Sequence, residues 1–266
     1  MGAYFDARFF NRSMRKVSSH MGSRVQLSFG IALSVAVSAA SIHSLLQRAP
    51  EHEGRGLGEW LDDFDKGASA SYERATAAVD RMGTNTLPRL LSLLGSRDSA
   101  FDRAMNDMAE SQSVMDMNWE MAFDRHWKAL RGFQALGNDA SPAIPELAAR
   151  LERAENPEFI SFALAGIGIE ALPSLQKCAT NANAIVRKSS TAALGLLGIT
   201  AEEAIPALIQ RLQDVNAAVR QAAADSLGRI GKQAAKALPA LNAATMDNDS
   251  GVSQAARAAL TAITGG

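Results

Sequence analysis

Between residues 172 and 264 the apolar positions recur in one arrangement every thirty-three residues. Aligning Pro173, Pro206 and Pro239 brings Val186 over Val219 and Val252, Leu194 over Leu227 and Leu260, and Leu197 over Ile230 and Ile263. Each copy holds two periodic stretches. The first carries proline in its opening turn, where the missing N–H has no helical partner to lose, and sets Ile205, Leu208, Ile209 and Leu212 three and four apart. The second puts Val219, Ala222, Ala223, Ser226, Leu227 and Ile230 on one stripe, with Gly231 placed for a left-handed cap. Between them Asp214 and Asn216 match Asn181 and Asn183 before, and Asp247 and Asp249 after, residues suited to accept from the N–H groups opening the second helix. Self-similarity at this period marks an array whose units bury a core only by stacking. The prediction is an all-α, right-handed α-solenoid of antiparallel helix pairs.

These residues resemble HEAT repeats, in particular the short bacterial HEAT-like type: a proline-led first helix, a turn with Asp or Asn, a Val-Arg pair, and a second helix ending in Leu-Gly. Val186-Arg187 and Val219-Arg220 carry the pair, and Val252-Ser253 departs from it in the last copy, where capping units are atypical. The clearest repeats are residues 172–198, 205–231 and 238–264. Met82-Gly83 before Pro88, Leu136-Gly137 before Pro145 and Ile167-Gly168 before Pro173 extend the pattern upstream, giving about five helix pairs within residues 69–266. Pro88 to Pro145 is about twice the shortest repeat length, room for a degenerate unit or an elongated pair. There Trp119, Phe123, Trp127 and Leu130 recur at four, four and three, predicting a long helix from about Ser113 to Leu136 whose aromatic stripe is buried, the alternative being a partner-binding ridge. Met105, Met108, Met115, Met117 and Met121 suit either an irregular core or an adaptable contact surface.

The first quarter reads differently. Residues 1–24 hold Arg8, Arg12, Arg15, Lys16 and Arg24 against Asp6 alone. Residues 25–46, from Val25 to Leu46, then run twenty-two positions without a charged side chain. As a helix they reach roughly 33 Å, enough to cross a hydrocarbon layer of about 30 Å. Basic residues ahead of such a span predict a cytoplasmic amino terminus and an array on the far side of an inner membrane. A cleaved signal, exporting the array, is the alternative, with Val37-Ser38-Ala39-Ala40 as its small-residue end. Residues 47–58, with Pro50 and three glycines, read as a linker without regular structure. Residues 59–68, with Trp60, Leu61 and Phe64, resemble the short helix that caps bacterial HEAT arrays and are expected to dock on the first repeat helix.

Charge narrows the partners. Beyond Leu46 there are 22 basic and 27 acidic side chains, the acidic excess lying before residue 157, and phosphate-backbone binding needs a clustered positive surface instead. No nucleic acid is therefore expected. Arg187, Lys188, Arg220 and Arg229 come from successive second helices and are the candidate partner-binding residues on the concave face. Resemblance to HEAT-like arrays gives the arginine after valine another role, pairing with the turn aspartate of an adjacent unit, Asp214 for Arg187 and Asp247 for Arg220.

Chemistry is sparse. His20, His43, His52 and His126 share no helix face, which leaves no metal site to expect, and the single His-Glu pair, His52-Glu53, departs from the several that HEAT-like iron hydroxylases carry. Gly166-Ile167-Gly168 lacks the strand and third glycine of a dinucleotide loop. Ser141, Ser189 and Ser190 lack a base in their own repeats, and Cys178, the single cysteine, sits at an apolar first-helix position as a small core residue. No catalytic residue, metal or cofactor is expected. The resemblance implies a scaffold holding a protein or peptide, with a lyase-type HEAT-like enzyme or enzyme subunit as the alternative.

Overall fold

In the computed structural model, which describes residues 50–66, 68–100, 102–104, 121–197 and 202–265, every one of the five recurring prolines opens a helix. Two units are distinguished, residues 1–57 and 58–266. The basic segment 1–24 and the uncharged segment 25–46 lie outside the described residues, as do Trp119 and Met105, Met108, Met115 and Met117. Among the described residues no helix is long and apolar enough to cross a membrane.

Residues 51–56, expected to be irregular linker, form a two-stranded antiparallel hairpin instead: β1 (Glu51–His52) and β2 (Arg55–Gly56), with Glu51 opposite Gly56 and His52 opposite Arg55. Its turn places Glu53 at φ 53° and Gly54 at φ 71°, two positive φ values in a row, as in the mirror-image turns that suit a tight hairpin.

The second unit is an all-α solenoid. After α1 (Leu57–Asp62) and a 3₁₀ turn (Asp63–Asp65) come α2 (Ser69–Met82), α3 (Leu87–Leu94), α4 (Ala122–Leu136), α5 (Ile144–Glu152), α6 (Pro157–Ile167), α7 (Leu172–Cys178), α8 (Ala184–Leu194), α9 (Ile205–Arg211), α10 (Ala217–Ile230), α11 (Leu238–Ala244) and α12 (Ser250–Thr264). From α3 onward they pair as first and second helices, α3 with α4 through α11 with α12, and α2 stacks ahead of α4 as a second helix of its own. Second helices pack on one another in the order α2, α4, α6, α8, α10, α12, which joins the buried stripes into one core. Trp60, Leu61 and Phe64 are buried, with Phe64 edge-on to Tyr72 of α2 at 5.0 Å and Lys128 of α4 paired with Asp62.

The connection between units repeats as closely as the helices do. Two residues before each proline stands a small buried residue, Thr86, Ala143, Ala171, Ala204 or Ala237. Gly231 closes α10 at φ 70°, ψ −137°, beyond the left-handed helical cap the sequence suggests and in a region that glycine alone enters readily. Inside the turns Asn183, Asn216 and Asp249 accept from the second-helix N–H groups of Ile185, Ala218 and Gly251, and Asn181, Asp214 and Asp247 accept from the residue two further on.

Close approach of α8 and α10 depends on Gly195. A Cβ there would lie 2.5 Å from the Ser226 Cβ and 2.6 Å from its Cα, so the backbone itself would have to move. At φ −71° alanine is otherwise the better helix former. Gly195→Ala is therefore expected to destabilise by about 1–3 kcal/mol, whereas Gly228→Ala, with a nearest contact of 3.0 Å to the Ala259 Cα, should cost less. Thermal melting of both variants checks this, and a higher melting temperature for Gly195→Ala would contradict the helix contact.

Candidate functional site

The second helices turn their buried stripes inward to the core and leave one outward stripe each. Positions three and eight apart, along α8 and just past its end, expose Ile185, Lys188 and Leu196; thirty-three residues later α10 exposes Ala218, Gln221 and Arg229. On α4 and α6 this face becomes aromatic. Phe123 is 59% exposed and Trp127 40%, and both meet Phe159 of α6 edge-on, with ring centroids 5.7 and 5.6 Å away. Their own rings are 6.2 Å apart.

That exposure corrects the buried aromatic stripe. The face of α4 that enters the core carries Ala122, His126, Ala129, Leu130, Phe133 and Leu136, and only Leu130 of the described stripe residues belongs to it. The helix also starts at Ala122, not near Ser113: Asp124 accepts from the Met121 N–H at 3.0 Å and Asp98, across the turn, accepts from the Ala122 N–H at 2.6 Å. Two carboxylates thus satisfy the open donors where the helix begins.

Beneath the rings His126 is a structural group. Its Nε2 lies 3.0 Å from the Ser96 carbonyl, to which it donates, and its ring stacks at a tilt 5.1 Å from Phe159. Burial pushes its pKa below the ordinary histidine value, against the Ser96 hydrogen bond, which raises it, so the ring is neutral at pH 7. Beside it Asn156, at φ 41°, donates to the Leu94 carbonyl at 2.9 Å and ties the α5–α6 turn to the end of α3.

The four candidate partner-binding residues do not come together. Arg187 makes two parallel bonds to Asp214, Nε to Oδ2 at 2.8 Å and Nη2 to Oδ1 at 2.9 Å, while its Nη1 donates to the carbonyls of Asn181 and Ala182. Arg220 repeats this one unit on with Asp247, at 2.7 and 2.8 Å. These two arginines form the inter-unit ladder along the turns. Lys188 is half exposed, 3.6 Å from Glu158 of α6, and Arg229 is exposed on α10. The ladder stops where Ser253 replaces arginine.

The remaining chemistry stays scattered. Cys178 is buried, and burial raises its thiol to about 11, so it is protonated and unreactive at neutral pH. His52 pairs with Glu53 in the hairpin at 3.5 Å. Among the described residues no three His, Cys, Asp or Glu side chains are grouped to hold a metal ion. Sequence reasoning missed Phe159 and the contact of Arg131 with Tyr72, whose ring centroid is 5.5 Å from the guanidinium carbon. Phe159 was detectable, since it falls off the Ile160, Ala163, Leu164, Ile167 stripe of α6. The Arg131 contact was not, because Tyr72 stands on a different helix far along the sequence.

A family model of HEAT repeats matches residues 172–261, the stretch where the thirty-three-residue period is clearest. Among solved structures the chain is similar to human deoxyhypusine hydroxylase in complex with glycerol, at 17% identity over 79% of this chain and 85% of that one, with a TM-score of 0.40. It is similar to a designed armadillo repeat protein in complex with the peptide (KR)4, at 17% identity over 78% of this chain and 99% of that one, TM-score 0.38. An engineered protein matches at 18% identity over 80% of this chain and all of its own, TM-score 0.39. No curated protein matches the chain.

Proposed function

We propose that this HEAT-repeat protein is a scaffold that holds another protein or a peptide on the concave face of its second helices. The observation that carries the reading is the outward face of those helices, where Phe123 and Trp127 of α4 and Ile185 and Leu196 in the α8 repeat stay exposed. Apolar groups exposed in one place on a rigid stack are what a partner covers. Lys188 and Arg229 stand on this stripe as polar contacts; Arg187 and Arg220 would serve the partner indirectly, by fixing the spacing of the units. The length of residues 25–46 without a charged side chain supports a scaffold held at or beyond an inner membrane, by an anchor or through a leader.

A photo-crosslinking amino acid at position 185 of the full chain, expressed in its own cells, tests the reading. Position 215 is the control, because Val215 is 93% exposed but lies in a turn off the stripe. One discrete crosslinked protein from position 185 and none from 215 is the expected result. Equal labelling from both sites, or none from 185, would reject the concave face as the binding surface.

A further inference from the structure

From α3 onward, part-buried hydrogen bonds tie one helix pair to the next, and among the described residues one junction lacks them. Arg150 of α5 reaches back to the Leu91 carbonyl of α3 at 2.8 Å, and Asn156 ties the α5–α6 turn to the Leu94 carbonyl at 2.9 Å. Arg211 of α9, five residues after its proline as Arg150 is, reaches the Ala179 carbonyl at 3.0 Å. The rungs Arg187–Asp214 and Arg220–Asp247 join α8 to the α9–α10 turn and α10 to the α11–α12 turn. Between the pairs α5–α6 and α7–α8 neither device is present. Cys178 takes the place of Arg150 and Arg211 in α7, and α6 holds no arginine to start a rung. What crosses there is Asn181 Nδ2 to the Glu152 carbonyl at a long 3.5 Å and two pairs at the surface, Lys177–Glu152 and Lys188–Glu158. Exposed pairs of this kind contribute little.

The core of the same junction carries two polar groups that nothing satisfies. Ser189 and Ser190 of α8 are buried, and neither Oγ has a hydrogen-bond partner. Other buried hydroxyls nearby are engaged: Thr191 Oγ1 donates to the Arg187 carbonyl, Ser226 Oγ to the Thr191 carbonyl and Ser161 Oγ to the Glu158 carbonyl. One and two units on, the same places hold Ala222 and Ala223, then Ala255 and Ala256. Ser226 and Ala259 stand against Gly195 and Gly228 of the preceding second helix. Ala193 is their counterpart in α8, and Ser189 lies one turn before it, on the side of α8 that packs on α6. A buried hydroxyl without a partner takes back part of what packing gives, so the helices separate more readily there.

We propose that the α6–α8 junction is the hinge of the array, at which the helices α2 to α6 and α7 to α12 turn as two blocks, each a rigid stack held by its own ties. The unmade hydrogen bonds let the contact open locally, and without a rung or an arginine tie the turns slide past each other when it does. The consequence falls on the outward face. Phe123, Trp127 and Phe159 belong to the first block, and Lys188, Leu196 and Arg229 to the second, so the angle at the hinge sets how far apart the aromatic and polar parts of that face stand. A partner that spans both selects one angle. The hinge belongs to the array itself, whatever the face holds.

The test uses the full chain in detergent. Spin labels on Arg153→Cys and Val215→Cys report across the hinge, and labels on Val215→Cys and Met246→Cys report within the second block; all three positions are exposed, and Cys178 is buried away from the label. The expected distance distribution is broader across the hinge than within the block. Amide hydrogen exchange should be about tenfold faster in α8 than in α10, the scale of one unsatisfied buried hydroxyl. Ser189→Ala combined with Ser190→Ala should slow exchange in α8 by about the same factor and narrow the first distribution while leaving the second unchanged. The distributions decide, because alanine raises the melting temperature wherever it replaces serine in a helix. A distribution across the junction as narrow as that within the block would overturn the hinge. A broad one that the two alanines leave unchanged would overturn the part given to the hydroxyls.

Discussion

Leu227→Asp is expected to unfold the carboxy-terminal part of the array at temperatures where the wild-type chain is fully helical. Leu227 has no exposed surface and lies on α10, which packs against both α8 and α12. The substitution removes a buried isobutyl group, a loss of about 2–3 kcal/mol in burial alone. It also places a carboxyl where no partner exists, so the group either protonates or drags water between the helices. A total above about 4 kcal/mol follows. Because each unit is held by its neighbours, loss of α10 removes the support of α12 as well. Circular dichroism at 222 nm should fall by about the share of α9 to α12, and limited proteolysis should cut first within residues 205–264. A melting curve like the wild type's would mean that Leu227 is not at the contact between units.

The repeats were legible because their information is local and periodic. Pro206, Asn216, Leu227 and their counterparts each act through a near neighbour in sequence, so a thirty-three-residue spacing carries the whole unit. The Arg187–Asp214 rung was expected from the resemblance to HEAT-like arrays, and the 27-residue separation is repeated by Arg220 and Asp247. The start of α4 was not legible. It depends on Asp98 reaching 24 residues along the chain to the Ala122 N–H, a contact that no helical period encodes. The fate of Phe123 and Trp127 was misread for a related reason: they lie on a helical stripe, but the neighbours of α4, namely α2, α3 and α6, choose a different stripe to bury. Alanine, histidine and glycine on the buried face let helices approach, while the larger rings on the outward face had made it look like the core.

The hairpin shows the opposite error. Pro50 and three glycines argue against regular structure in residues 47–58, yet Glu53-Gly54 is a two-residue turn whose positive φ angles join Glu51–His52 to Arg55–Gly56. Of the candidate site, the exposed positions of Lys188 and Arg229 were legible from helical spacing. The packing of Arg131 over Tyr72 was not, because the two residues belong to different helices and no helical spacing links them.

Removing the Asp214 carboxylate should cost about 3 kcal/mol, the low end for one half of a buried pair. The side chain of Asp214 is 5% exposed and that of Arg187 12%, so Asp214→Ala leaves a nearly buried guanidinium without its two acceptors and the Asn216 N–H without its cap. Asp247→Ala should cost less, since 14% of Asp247 and 19% of Arg220 meet solvent. The pH dependence has a definite sign. The Arg187 hydrogen bonds hold the Asp214 carboxyl below its ordinary value of 3.8, helped by the Asn216 N–H and opposed by burial. A carboxyl whose folded value is depressed stabilises the fold at every pH above its unfolded value and loses that contribution as pH falls through the folded one. The wild-type melting temperature should therefore decline as pH drops below about 4, and Asp214→Ala should decline less over the same interval. The Arg187→Ala and double variants complete a cycle, in which Asp214→Ala should cost less once Arg187 is gone, what remains being the lost Asn216 cap and the nearby Arg211. Parallel acid profiles for wild type and Asp214→Ala, or additive losses in the cycle, would show that the rung contributes no coupling and that the units are held by their apolar stripes alone.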